Sequence, residues 1–267
     1  MSNLYAILFH PRSGSTLVSD MCTNDPEIIN FYELLAYDGA QNAGFLLEED
    51  AGKFDPYVQE KMVNRLANLA RQRPETKVGF KFAPYQCQSP TMILGALERH
   101  NCRTVVVYRR DLVAVALSQI GARQLASEGK LANIAHPSER IQSMKIDIPE
   151  FAYFLYDAAL ERARVLTFAR ALPESQLMIS YEELVRDKTA SRAKLSAFLG
   201  AELKPVRGVG VRKNLIGKRE DYVSNFDEVQ EYLRSPQAVR ILKKFQLPPD
   251  RRPKSPTGGD GRLADVG

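Results

Sequence analysis

The sequence predicts an α/β fold, a central parallel β-sheet flanked by helices in three layers. Three observations predict it. Short apolar runs of strand length recur along the chain, stretches of helical periodicity separate them, and two of the runs end in small or basic residues that open directly into a helix. Parallel strands are buried on both faces, so they read as continuous apolar runs rather than alternating ones.

Taken in order, the first strand is LYAILF, residues 4–9. It passes through His10 and Pro11 into Arg12, Ser13, Gly14, Ser15 and Thr16, after which Leu17, Val18 and Met21 begin a helix. Residues 56–73 place Val58, Met62, Leu66 and Leu69 on one helical face. A second strand follows in KVGFKF (77–82), and a third in RTVVVY (103–108), which leads through Arg109 and Arg110 into a helix near Asp111. Residues 121–149 are polar and weakly periodic and read as an insertion near a ligand. Phe151, Leu155, Ala158, Arg162 and Val165 share a face of a later helix, with Arg162 the interruption. SQLMIS (175–180) is the fourth strand, and Gly200 closes the helix ending KLSAFLG as a C′ glycine. Asn225, three residues before Glu228, is placed to cap a last helical region that runs to about 245. The tail 248–267 is rich in Pro and Gly with almost no apolar content and is expected to be disordered, leaving one domain over 1–247.

Bulk properties exclude several classes. The 267 residues, 44% of them hydrophobic, suffice for one sizeable α/β domain or two small ones. A formal charge of +5 fits a solvated basic surface or a polyanionic ligand. Without Lys/Arg blocks interleaved with aromatics, a small phosphorylated molecule ranks ahead of nucleic acid. No apolar run is long enough to cross a membrane, and the N-terminus lacks a basic segment followed by an apolar core, so the expected location is cytoplasmic. Cys22, Cys87 and Cys102, like His10, His100 and His136, are scattered without metal-ligand spacing, and no metal is expected.

The loop after the first strand has the character of a phosphate cradle. Gly14 permits close backbone approach, Ser13, Ser15 and Thr16 add hydroxyl donors, Arg12 adds a fork-shaped cation, and the helix that follows aims its N-terminus at the ligand. This is P-loop logic without the Walker pattern, because no Lys precedes the Ser/Thr pair. TVVVYRRDLVAVALSQ repeats the design, with Ser118 eight residues beyond Arg110, about two helical turns on. Both motifs fall at carboxyl ends of strands, where open α/β sheets bind ligands, and two anion sites on one crevice suit a ligand phosphorylated at two places.

PRSGSTL followed by RRDLVAVALS resembles the sulfotransferases that use 3′-phosphoadenosine 5′-phosphosulfate (PAPS). The resemblance continues through FYELL (31–35), VGFKFAPYQ (78–86), ISYEELVRD (179–187) and VRKNLIGKREDYVSNFDEV (211–229). Arg in the first loop is similar to the bacterial carbohydrate branch, which includes lipopolysaccharide, Nod-factor and trehalose sulfotransferases. The resemblance implies a P-loop-like fold and sulfuryl transfer from PAPS to a hydroxyl of a carbohydrate, glycolipid or other acceptor, leaving adenosine 3′,5′-bisphosphate (PAP). It implies that Arg12, Ser13, Gly14, Ser15 and Thr16 hold the 5′-phosphosulfate and that Arg110 and Ser118 hold the 3′-phosphate. Glu33 matches the branch's general base, with Arg12 neutralising the leaving phosphate; the alternative is that Glu33 caps or begins a helix. Lys81, a lysine inside an apolar strand, is implied near the acceptor, and Arg212 and Lys213 resemble a late basic segment that closes over the nucleotide. Tyr181 is a candidate adenine contact or else a core or capping tyrosine. His10, before Pro11 at a strand end, reads as support for the loop. The chemistry needs no metal, and a homodimer is possible. The competing classes are an ATP-dependent nucleoside or small-molecule kinase, disfavoured by the missing loop Lys, a sulfotransferase acting on a non-carbohydrate small molecule, and a non-catalytic nucleotide-binding module.

Overall fold

A computed structural model describes residues 2–23, 25–42, 44, 54–130, 141–172, 176–205 and 217–245. The expected tail and the Arg212–Lys213 pair lie outside the described residues. Five strands form one all-parallel sheet: β1 (Leu4–Phe9), β2 (Ile28–Glu33), β3 (Lys77–Phe82), β4 (Arg103–Tyr108) and β5 (Gln176–Ser180), in the order β2-β3-β1-β4-β5. The reversal of order beside β1 puts the ends of β1, β3 and β4 at the crevice where such sheets take ligands.

Side chains alternate across the sheet. Leu4, Ala6, Leu8, Val78, Phe80, Phe82 and Val106 pack on one face against α3 (Pro56–Gln72), α4 (Pro90–Arg99) and the C-terminal half of α6 (Ile148–Ala171). Tyr5, Ile7, Phe9, Val105, Val107 and Ile179 pack on the other against α1 (Ser15–Thr23), α7 (Tyr181–Arg186) and α8 (Lys188–Leu199). The expected three-layer arrangement is what the chain forms, and a short helix, α2 (Tyr37–Asn42), follows β2. A third apolar cluster lies off the sheet, where α5 (Leu112–Ser127) and α6 meet Tyr222 of α9 (Arg219–Tyr222), Val229 of α10 (Phe226–Arg234) and Ala238 of α11 (Pro236–Lys244).

Four differences from the sequence reading bear on the site. The described residues form five strands, not four, because IINFYE adds β2 at the sheet edge. α5 runs on to Ser127, so the polar segment begins after it rather than at 121. The last helical region is two helices, broken where Ser235 caps α11 ahead of Pro236. Asn225 occupies the N-cap position of α10, but its side chain bonds Glu228 and the backbone of Ile146 instead of capping the helix. Gly200 behaves as expected, ending α8 with φ +67°.

The edge strand is held in place from the sheet interior. Buried Tyr5 reaches across β3 to donate from its hydroxyl to Asn30 Oδ1 of β2 at 3.0 Å. Only glycine at position 79 lets it pass, since a Cβ there would stand 2.0 Å from the Tyr5 ring.

Candidate functional site

The loop from His10 to Gly14 turns tightly between β1 and α1. Arg12 and Gly14 both have left-handed backbones (φ +61° and +88°), an arrangement that costs a non-glycine residue on the order of 1–2 kcal/mol. The turn closes with the Ser13 N–H donating to the His10 carbonyl at 3.2 Å and the Leu17 N–H donating to the Gly14 carbonyl at 3.0 Å. Gly14 lies against the Tyr181 ring, and a Cβ added there would meet Cδ2 at 2.5 Å. Ser13 Oγ is buried in this loop without a hydrogen-bond partner among the described residues, as is Arg109 Nε beside it. Both are polar groups suited to an anionic ligand.

His10 ties this loop to the next one. Its ring is fully buried, with Nδ1 donating to the Pro11 carbonyl at 3.0 Å and Nε2 accepting the Arg109 N–H at 3.0 Å. Burial, with the nearby Arg162 and Arg109 cations, lowers its pKa to about 3, so the ring is neutral. With both nitrogens engaged, His10 is loop support, as the sequence suggests.

The second loop, Arg109–Asp111, joins β4 to α5. The Arg12 guanidinium crosses from the first loop and donates through Nε to Ser118 Oγ on α5 at 2.9 Å. Arg109 donates back to the Arg12 carbonyl at 3.4 Å and stacks its guanidinium over Tyr181, 4.3 Å from the ring centroid. Burial and then the neighbouring Arg109 charge lower the Arg12 pKa, as expected where two cations converge in a partly dry crevice. Tyr181 begins α7, placed by a capping box between Ser180 and Glu183. Arg110 is exposed at the rim.

A third corner lies at the edge of the sheet. In the β2–β3 ladder Phe31 pairs with Phe80 and Glu33 with Lys81, so Tyr32 is the extra residue of a bulge. Bulges re-aim side chains, and this one sets the Glu33 carboxylate opposite Lys81. Lys81, 4% exposed, places its ammonium 3.2 Å from Glu33 Oε1 and 3.4 Å from Thr16 Oγ1, with Phe9 and Tyr32 rings at 4.9 and 5.4 Å. Gln86, in the 3-10 turn Pro84–Gln86 after β3, donates to Glu33 Oε2 at 2.7 Å. Glu33 therefore ends a strand and neither caps nor begins a helix.

The structure thus gathers Arg12, Ser13, Gly14, Ser15, Thr16, Ser118 and Tyr181 around the two loops and brings Glu33 and Lys81 to the start of α1. The Arg12–Ser118 contact joins two groups that the sequence assigns to different phosphates. Sequence reasoning missed Gln86, Tyr32 and the side chains that hold the second loop; Gln86 had only the signal of a polar residue in the turn shortly after an apolar strand. Among the described residues, no group of three or more His, Cys, Asp and Glu side chains is arranged to hold a metal, and all three cysteines are buried thiols.

A model of the sulfotransferase family matches residues 6–205, more than half of the chain. No curated protein matches. Among solved structures, the chain is similar to the sulfotransferase domain from the curacin biosynthetic pathway, with 18% identity over 95% of this chain and 94% of that one and a TM-score of 0.50. It is also similar to a sulfotransferase from Alicyclobacillus acidocaldarius, at 14% identity, 92% and 96% coverage and a TM-score of 0.48. A mouse sulfotransferase complexed with PAP aligns at 15% identity, 91% and 89% coverage and a TM-score of 0.43.

Proposed function

Because the chain belongs to the sulfotransferase family, we propose that it takes the sulfuryl group from PAPS and sulfates a hydroxyl of a carbohydrate or glycolipid, with Glu33 as the general base. The observation that carries this reading is the Glu33–Lys81–Thr16 corner, a carboxylate and an ammonium set beside the first turn of α1. The acceptor oxygen attacks sulfur in line as its proton passes to Glu33. The bond between sulfur and the bridging phosphate oxygen breaks, and PAP leaves with the electron pair. Charge grows on that phosphate, where the Ser13–Thr16 N–H groups, the Arg12 guanidinium and the Lys81 ammonium act on it. Gln86 orients the carboxylate through Oε2. Arg110 and Ser118 take the 3′-phosphate, Tyr181 lies by the adenine side, and Arg212 and Lys213 close over the nucleotide.

The orphaned Ser13 Oγ and Arg109 Nε, with the glycine cradle under Tyr181, fit an anionic donor. Exposed Tyr32, next to Glu33 in the chain, and exposed Tyr85, within electrostatic reach of it, offer aromatic faces of the kind sugars stack on, which favours the carbohydrate branch over other hydroxyl acceptors. We place the activity in one domain over 1–247, in the cytoplasm; among the described residues no helix is long and apolar enough to cross a membrane.

Thermal shift with PAP, AMP and ATP-Mg tests the donor assignment, since a ligand that binds the native state raises the apparent melting temperature. PAP is expected to stabilise far more than AMP, and Arg110→Ala to remove most of that difference, a loss of about 1.5–3 kcal/mol for a charge-assisted contact. Equal shifts with PAP and AMP would overturn the assignment, and a dominant shift with ATP-Mg would favour the kinase.

A further inference from the structure

The second loop makes few backbone bonds of its own, and side chains from four distant places hold it. The Arg109 N–H goes to His10 Nε2 at 3.0 Å, and the Arg110 and Asp111 N–H groups go to the Glu182 carboxylate at 3.1–3.2 Å. Arg162 supplies the donors for the carbonyls: its Nη1 lies 2.8 Å from the Arg110 oxygen and 3.4 Å from the Arg109 oxygen. The Asp111 carboxylate, besides capping α5, pairs with Arg219.

Arg162 is the unexpected member. It sits at the position that breaks the apolar face of α6 and is 4% exposed. Its second nitrogen, Nη2, bonds the carbonyl of Phe245, the residue that caps the C-terminus of α11. One planar fork thus joins the backbone under Arg109 and Arg110 to the end of the C-terminal helices. A Lys could not hold both directions at once, because its donors radiate from a single nitrogen.

We propose that Arg162 is a positioning residue for donor recognition: it fixes the Arg109–Arg110 backbone, so that the protein distinguishes a nucleotide carrying a 3′-phosphate from one without it, and it links that discrimination to the docking of α11. The proposal rests on the PAPS-site reading. Arg162 touches only backbone of the loop in this arrangement, so it acts through Arg110 and not on the nucleotide. Removing it frees the Arg109, Arg110 and Phe245 carbonyls and lets the second loop shift, which weakens the contact at the 3′-phosphate, while the backbone bonds that close the first loop, from the Ser13 and Leu17 N–H groups, do not involve it.

The test is calorimetric titration of the full chain with PAP and with AMP, for wild type, Arg162→Met and Arg162→Lys, with and without millimolar methylguanidine. Loss of a buried charged donor predicts that Arg162→Met binds PAP about tenfold or more weakly, and AMP within about twofold of wild type. Methylguanidine should restore part of the PAP affinity in Arg162→Met alone, which a merely structural defect would not show. Arg162→Lys should fall between, and it carries the test should Arg162→Met lack a folding transition. Equal losses for PAP and AMP, or an unchanged PAP-to-AMP ratio, would overturn the inference while wild-type discrimination stood. A wild type that failed to discriminate would instead overturn the donor-site reading, and the inference with it.

Discussion

Acidification isolates what His10 does. A neutral imidazole with a folded pKa of about 3 carries no charge in either state above the ordinary value of 6.5, so it contributes nothing to pH dependence at pH 7.5. As pH falls through 6.5, the unfolded chain takes up a proton that the buried ring refuses, and the folded state loses stability down to its own pKa. At pH 5 the difference is 1.5 units below the ordinary 6.5, and at 1.36 kcal/mol per unit the loss is about 2 kcal/mol. Because the folded value lies well below 5, the loss at that pH depends on the unfolded value alone. His10→Gln keeps an acceptor for the Arg109 N–H and does not titrate. Urea unfolding of both proteins at pH 7.5 and pH 5 gives the comparison, with carboxylate effects common to both cancelling. The wild type should lose about 2 kcal/mol more than His10→Gln over this interval. Parallel losses would refute the claim that the ring is held neutral between the loops.

Two substitutions probe the rest of the site. Glu33→Gln keeps the Gln86 neighbourhood filled but cannot take a proton, so kcat should fall roughly 10²–10⁴-fold with PAP affinity nearly unchanged, measured on one preparation with its melting temperature; full activity would remove Glu33 as the base. Gly14→Ala places a Cβ 2.5 Å from Tyr181 on a backbone at φ +88°, so PAP affinity should fall by roughly tenfold or more, about 1.4 kcal/mol, with a lower melting temperature; normal PAP binding would show that Tyr181 yields freely.

The strands β1, β3, β4 and β5 were legible because each is built on a short, mostly apolar run of strand length, and so were both loops, whose small and basic residues follow such runs directly. β2 was harder to see. IINFYE is only half-buried and breaks its apolar character at Asn30, and it becomes a strand through its ladder with β3, with Tyr5 reaching over Gly79 to bond Asn30. Missing β2 also hid the bulge that turns Glu33 toward Lys81, although both residues were named from the sequence. The hold on the second loop was illegible for a related reason. His10, Glu182 and Arg162 lie far apart in sequence and act on backbone atoms, which carry no residue-specific pattern, and Arg219 acts from a further place on the Asp111 carboxylate. Arg162 did announce itself as a charge on an apolar face, but not what it would bond.

The third apolar cluster sets where this protein can be cut. The stretch matched by the family model ends at 205, while Tyr222, Val223, Val229 and Ala238 fill the space beside α5 and α6. A chain stopped at 205 would leave Leu112, Val115, Phe151 and Leu155 facing water along one flank, and would take away Arg219 and the Phe245 carbonyl that the second loop leans on. Such a fragment would present an oily flank next to a loosened loop, a surface prone to self-association. A fragment meant to stand alone is therefore expected to need the chain through Phe245, about forty residues past the family match.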